Sequence, residues 1–150
     1  SSAASDVYKR QELTEEVRSL DMSERILLPG RITDVPEKLE KAYAFVLTSF
    51  TEGMPNTLIE AMSLGTACIS TDCPCGGPKD LIRDGENGFL VPVDDSDALA
   101  DRLTRLLENP DLMQQMGKNA AKLQAEYLPE KVNQEWADYF RKVVGKKKLV

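Results

Sequence analysis

Ala44-Phe-Val-Leu-Thr48, then Ser49-Phe-Thr-Glu-Gly-Met-Pro55, then Asn56-Thr-Leu-Ile-Glu-Ala-Met-Ser-Leu64 closed by Gly65, decide how this chain folds. The first five residues form an unbroken apolar run ending on Thr, the pattern of a strand buried on both faces. The pattern then changes to that of a helix over Asn56–Leu64, stopped by Gly65. Ala67-Cys-Ile-Ser-Thr71 is again a short apolar run and reads as a second strand. Strand, loop, helix, strand in so short a span is a βαβ unit, and such a crossover pairs its strands in parallel.

Outward from this unit the alternation continues. Upstream, Glu12–Leu20 reads as the end of a helix and Arg25–Pro29 as a strand closed by Gly30. Asp34–Ala42 reads as a helix with Asp34 or Thr33 as cap and Pro36 in its first turn. Downstream, Asp80–Arg83 is a short helical turn, Gly85-Glu-Asn-Gly88 a turn cluster and Phe89–Val93 a strand. The rest is helical. Asp95 or Ser96 caps a helix with Leu99, Leu103, Leu106 and Leu107 on one face. Asn109-Pro110 caps the next, with Leu112, Met116, Ala120 and Leu123 inward, and Pro129 opens the last. Its stripe of Val132, Trp136, Tyr139, Phe140 and Val143 predicts a core-packing face. The fold class is therefore α/β: a Rossmann-like parallel sheet with flanking helices and no internal repeat. Ligands of such sheets bind beyond the carboxyl ends of the strands, so the loops after Thr48 and Thr71 are the ones to examine.

Composition narrows the chemistry. The net charge of −6 argues against a nucleic-acid backbone as partner. No apolar run approaches the ~20 residues that span a bilayer. Lys146, Lys147 and Lys148 read as a solvated tail; the alternative is peripheral contact of the full-length protein with a membrane surface. The 150 residues include three cysteines and no histidine, which removes the common general base of Ser and Cys triads. Cys68 reads as a buried thiol, and Cys73-Pro-Cys75 alone cannot supply four zinc ligands, so no metal site is expected. A reduced, cytoplasmic protein fits this cysteine usage. Ser1–Gln11, SSAASDVYKRQ, reads as the in-frame translation of a transposase-based sequencing adapter. Residues 1–11 are accordingly set aside as a scar, leaving 12–150 as the domain, whose natural chain continues upstream of Glu12.

Two carboxylates stand out in the decisive segment: Glu52 in the loop and Glu60 inside an otherwise apolar helix, seven residues apart. The helix starting at Asn56 aims its N-terminus at the loop above the strand end, where the amides of Asn56, Thr57 and Leu58 attract a phosphate or diphosphate. Glu52 beside an anion suits hydrogen bonding to neutral hydroxyls, and Glu60 suits a ribose. On spacing alone, Glu60 is as well explained as a solvated rim residue. Cys73-Pro-Cys-Gly-Gly-Pro78 reads as a turn first and a ligand contact second.

Glu52-Gly-Met-Pro-Asn-Thr-Leu-Ile-Glu-Ala-Met62 resembles the E-x7-E motif of family 4 retaining glycosyltransferases, which have the GT-B fold. The resemblance extends through LLPGR, AFVLTSF, SLGTACIS, TDCPCGGPKDLI and DGENGFLVPV, from about Glu12 to Tyr139. It implies the C-terminal, nucleotide-sugar-binding half of such an enzyme. It places Glu52 at the catalytic position that contacts the donor sugar, and Glu60 on the ribose. It sets Gly53, Met54, Pro55 and Asn56 around the sugar, Thr57 and Leu58 on the diphosphate, and Arg31 and Ile32 beside the nucleobase. It further implies a UDP-hexose or UDP-N-acetylhexosamine donor, a glycan or lipid-linked acceptor, bacterial cell-surface polysaccharide synthesis, and no required metal or cofactor. The family's basic Arg and Lys and its acceptor domain have no match here, so the chain alone is not expected to catalyse. The readings that compete are another Rossmann-type nucleotide binder, for which G-x-G-x-x-G is missing, and a non-enzymatic flavodoxin-like module.

Overall fold

Three short strands carry the core of the protein, and their sequence explains their burial. In the computed structural model, which describes residues 2–125 and 127–146, β1 is Phe45–Leu47, β2 Cys68–Thr71 and β3 Phe89–Val91. They pair in parallel in the order β1-β2-β3, with Phe45 opposite Cys68 and Ile69 opposite Phe89. All four residues of β2 are buried, as expected of a central strand covered on both faces.

The helices are α1 (Ser2–Ser19), α2 (Val35–Lys41), α3 (Asn56–Ser63), α4 (Gly77–Leu81), α5 (Ser96–Glu108), α6 (Pro110–Ala121) and α7 (Pro129–Lys146). A 3-10 turn, Lys122–Ala125, follows α6. Two apolar clusters flank the sheet. Leu58, Ala61 and Met62 of α3 pack with Leu39, Cys68, Leu81, Ala120 and Leu123 on one side. Ile69, Phe89 and Val91 pack with Leu106 and Met116 of α5 and α6 on the other. The expected caps form: Asp95 accepts from the Ala98 amide and Asn109 from the Leu112 amide.

The chain divides into two units, Ser1–Asp34 and Val35–Val150, the sheet belonging to the second. In the first, α1 runs without a break across the boundary expected at residue 11. Arg25–Pro29 forms no strand. Leu27 is 78% exposed, and the Leu28 carbonyl accepts from the Arg10 guanidinium at 2.6 Å instead of from a neighbouring strand. An apolar run becomes a strand only when a sheet edge receives it.

Two further expectations are corrected. Leu107 is exposed, because only Leu99, Leu103 and Leu106 of that stripe face the sheet. The α7 stripe does not pack on the core: Trp136, Tyr139 and Phe140 are each more than half exposed and pack on one another, Trp136 stacked on Phe140 with centroids 5.6 Å apart and Tyr139 edge-on to both. Helical periodicity marks an apolar face without saying what covers it.

Candidate functional site

The loop after β1 is held at its root by two hydroxyls. Thr71, the last residue of β2, donates its hydroxyl to the Ser49 carbonyl. Ser49 in turn donates its own hydroxyl to Glu52 Oε1 at 2.6 Å, and both partners are half-buried. One carboxylate oxygen of Glu52 is thus fixed by the end of the sheet, which orients the group for hydroxyl recognition.

Pro55 then caps α3. It is buried, extended (φ −77°, ψ 99°) and offers no side-chain cap. Its carbonyl accepts from the Leu58 and Ile59 amides at 3.1 and 3.2 Å. Among the described residues, the N–H groups of Asn56 and Thr57 have no protein acceptor. The helix therefore presents two unpaired donors and the positive end of its dipole to the space above the sheet, a setting suited to a phosphate. Leu58, which sequence reasoning also placed on the diphosphate, has a buried side chain and an amide already engaged by Pro55.

Glu60 lies on the outer face of α3 and is exposed, while Leu58, Ala61 and Met62 on the same helix are buried. Gly53 and Met54 are exposed in the loop, Met54 at 51%. Seven of the ten expected donor residues, Glu52–Leu58, thus form one continuous lip entering α3, with Glu60 one turn on. Arg31 and Ile32 follow Gly30, which has a left-handed φ of 76°, in the Ser1–Asp34 unit, Arg31 exposed and Ile32 half-buried.

The segment after β2 also closes on this loop. Cys75 and Gly76 are both left-handed, at φ 73° and 78°, so Cys73–Pro78 is a tight turn running into α4. An ion pair of 3.1 Å between Lys79 and Asp72 brackets it. Gly77, buried at the start of α4, lies against the carbonyl of Gly53. Sequence reasoning missed both Ser49 and Gly77; the available signals were a hydroxyl three residues before Glu52 and a Gly-Gly pair after a strand. A cavity of about 290 Å³ opens along the carboxyl edge of the sheet, lined among others by Thr48, Phe50, Thr71, Asp94 and Ser96. It adjoins the Thr71–Ser49 anchor but takes no lining from Glu52 or α3. Among the described residues, no three His, Cys, Asp or Glu side chains converge as a metal-binding group, and no helix is long and apolar enough to cross a membrane.

A family model described as "Glycosyl transferases group 1" matches residues 6–123. This chain belongs to the group 1 glycosyltransferases. It is 35% identical over 133 residues to an undecaprenol-diphosphate-glycan α-1,4-N-acetyl-D-galactosaminyltransferase of Campylobacter jejuni, covering 89% of this chain and 36% of that relative. In structure it is similar to HepE of Anabaena, solved in complex with UDP, with a TM-score of 0.82 and 23% identity over 88% of this chain and 36% of that one. It is also similar to the C-terminal domain of the group 1 glycosyltransferase LpcC of Francisella tularensis, with a TM-score of 0.73 and 27% identity over 81% and 63%. The fold is thus the Rossmann-like C-terminal half of a GT-B architecture. This group 1 glycosyltransferase chain spans between 31% and 36% of the length of three curated relatives it matches.

Proposed function

We propose that this chain is the donor-binding half of a family 4 retaining glycosyltransferase that moves a hexose or N-acetylhexosamine from a UDP-sugar to a glycan or lipid-linked acceptor. The observation that carries it is the lip itself: a carboxylate anchored by Ser49 leads directly into a helix whose first two amides find no acceptor among the described residues. The Asn56 and Thr57 amides take the diphosphate, and the helix dipole stabilises the charge that develops as it departs. Glu60, exposed one turn along, accepts from the ribose hydroxyls. Glu52 acts on the sugar hydroxyls, holding the ring so that leaving and attacking groups share one face; positioning of this kind lowers the barrier without a covalent intermediate. Arg31 and Ile32 are assigned to the nucleobase on the sequence resemblance alone.

Support for a UDP donor comes from HepE, solved with UDP and with UDP-glucose, and from a similar Escherichia coli protein named for UDP-Gal. Polysaccharide synthesis is likewise the setting named for a Salmonella typhi relative. The acceptor, and basic side chains on the donor phosphates, come in this reading from the remainder of a longer protein, which works at the cytoplasmic side of a membrane. The domain is taken to begin at Glu12 although the family match starts at residue 6, and a chain lacking residues 1–11 is expected to bind UDP equally well. A calorimetric titration with UDP, UDP-galactose, UDP-N-acetylglucosamine and GDP-mannose tests the donor: heat with the UDP series supports it, and heat with GDP-mannose alone rules it out.

A further inference from the structure

The turn Cys73–Pro78 and the loop Phe50–Met54 meet at one point, and they are not equally supported. The turn is internally braced. The Gly76 amide donates to the Cys73 carbonyl at 3.2 Å, the Asp80 amide to Gly76 at 3.0 Å and the Ile82 amide to Pro78 at 2.8 Å. Gly77 and Pro78 are buried. Among the described residues no backbone hydrogen bond holds Phe50–Met54; the Ser49–Glu52 contact is a side-chain bond at its root. Where the two touch, Gly77 leaves no room. A Cβ built there would overlap the Gly53 carbonyl and stand 3.0 Å from Pro55 Cδ. Gly53 itself is different, since a Cβ on it would meet nothing within 4 Å. The contact is therefore between Gly77 Cα and the Gly53 peptide, and a side chain at 77, unlike one at 53, would collide across it.

We propose that Gly77 is a positioning residue for the sugar-facing loop: its bare Cα lets the braced turn seat on the Gly53 carbonyl, which fixes Glu52 and Met54 relative to the start of α3. The proposal rests on the donor-site reading above and assigns the turn a role within it. Because the turn is braced and the loop is not, a methyl at 77 displaces the loop. The amides of Asn56 and Thr57 lie between Pro55 and Leu58, which is locked into the core and donates its amide to the Pro55 carbonyl, and they move less. Sugar recognition and phosphate recognition then separate under a single substitution.

The test uses this chain with isotope labelling. Gly77→Ala is expected to shift the amide resonances of Glu52, Gly53 and Met54 more than that of Thr57. It is also expected to weaken binding of UDP-galactose and UDP-N-acetylglucosamine while leaving UDP binding unchanged. Gly76→Ala strains the same turn, at φ 78°, but sends its methyl into open space, and is expected to leave the Glu52–Met54 resonances in place. Unshifted resonances at 52–54 in folded Gly77→Ala overturn the proposal, and so does equal weakening of UDP and the UDP-sugars. Wild type that binds no UDP refutes the donor-site reading instead, and the amide shifts still decide the role of Gly77. If Gly77→Ala does not fold, the wild-type protein decides: a nuclear Overhauser contact from Gly77 Hα to Pro55 Hδ supports the seat, and its absence overturns it.

Discussion

Replacing Ser49 by Ala removes one oxygen and leaves the backbone and Cβ in place. What is lost is the hydroxyl that donates to Glu52 Oε1 at 2.6 Å. Hydrogen bonds to charged groups contribute about 1.5–3 kcal/mol. Both partners here are half-buried, so water replaces part of the bond, and the loss falls at or below the bottom of that range, about 1–1.5 kcal/mol. Little of this falls on folding, because a freed Glu52 in an exposed loop is solvated in native and unfolded chains alike. It falls on binding, because the carboxylate now has to be ordered by the ligand. Affinity for a UDP-hexose should drop by about five- to tenfold, the equivalent of that energy. Affinity for UDP, which has no sugar for Glu52 to hold, should stay within twofold or so. Calorimetry of wild type and Ser49→Ala with both ligands reads this difference directly. A parallel loss for UDP and UDP-hexose, or no loss for either, refutes the assignment of Glu52 to the sugar.

Other outcomes follow from the same coordinates. Glu60→Ala should weaken UDP and UDP-hexose to the same degree, measured by the same titration, since it removes the ribose acceptor and not the sugar contact. Leu58 is fully buried in the cluster beneath the site, so Leu58→Ala should cost about 2–5 kcal/mol of stability by denaturant unfolding. Trp136 is 56% exposed, and Trp136→Ala should cost far less despite removing a larger group. Burial pushes the Cys68 thiol from 9.0 up to about 12. The unfolded chain therefore ionises first. Stability present below pH 9 is lost as pH rises toward 12, at up to about 1.4 kcal/mol per pH unit, and Cys68→Ala should remove that part of the alkaline slope. Cys75 is exposed and should be alkylated in the native protein, whereas Cys68, buried, should not.

The βαβ unit was legible because its signals are local: an apolar run, a helix period and a Gly stop over Ala44–Thr71 produced β1, α3 and β2 within a residue or two. The caps at Asp95 and Asn109 were legible for the same reason. The misreadings concern partners rather than patterns. Arg25–Pro29 has a strand's composition but forms no strand, and α7 has an apolar stripe that stays largely exposed. In the site, the E-x7-E spacing pointed to the lip before α3. It could not show that Ser49 grips Glu52 or that Pro55 takes the Leu58 amide, because such short-range contacts depend on the path of the loop backbone, nor that Gly77 presses on Gly53, because those two residues meet only once β1 pairs with β2.

The central claim is that α3 and the loop before it form a nucleotide-diphosphate site. It is tested most directly by titrating the isotope-labelled chain with UDP and following each backbone amide. The account predicts saturable shifts centred on Asn56 and Thr57 and extending to Glu60. The affinity should lie in the high-micromolar to millimolar range, on the order of −4 to −6 kcal/mol, for a site without its basic partners. Shifts confined to the cavity around Asp94 and Ser96, or no shifts at millimolar UDP, would contradict it.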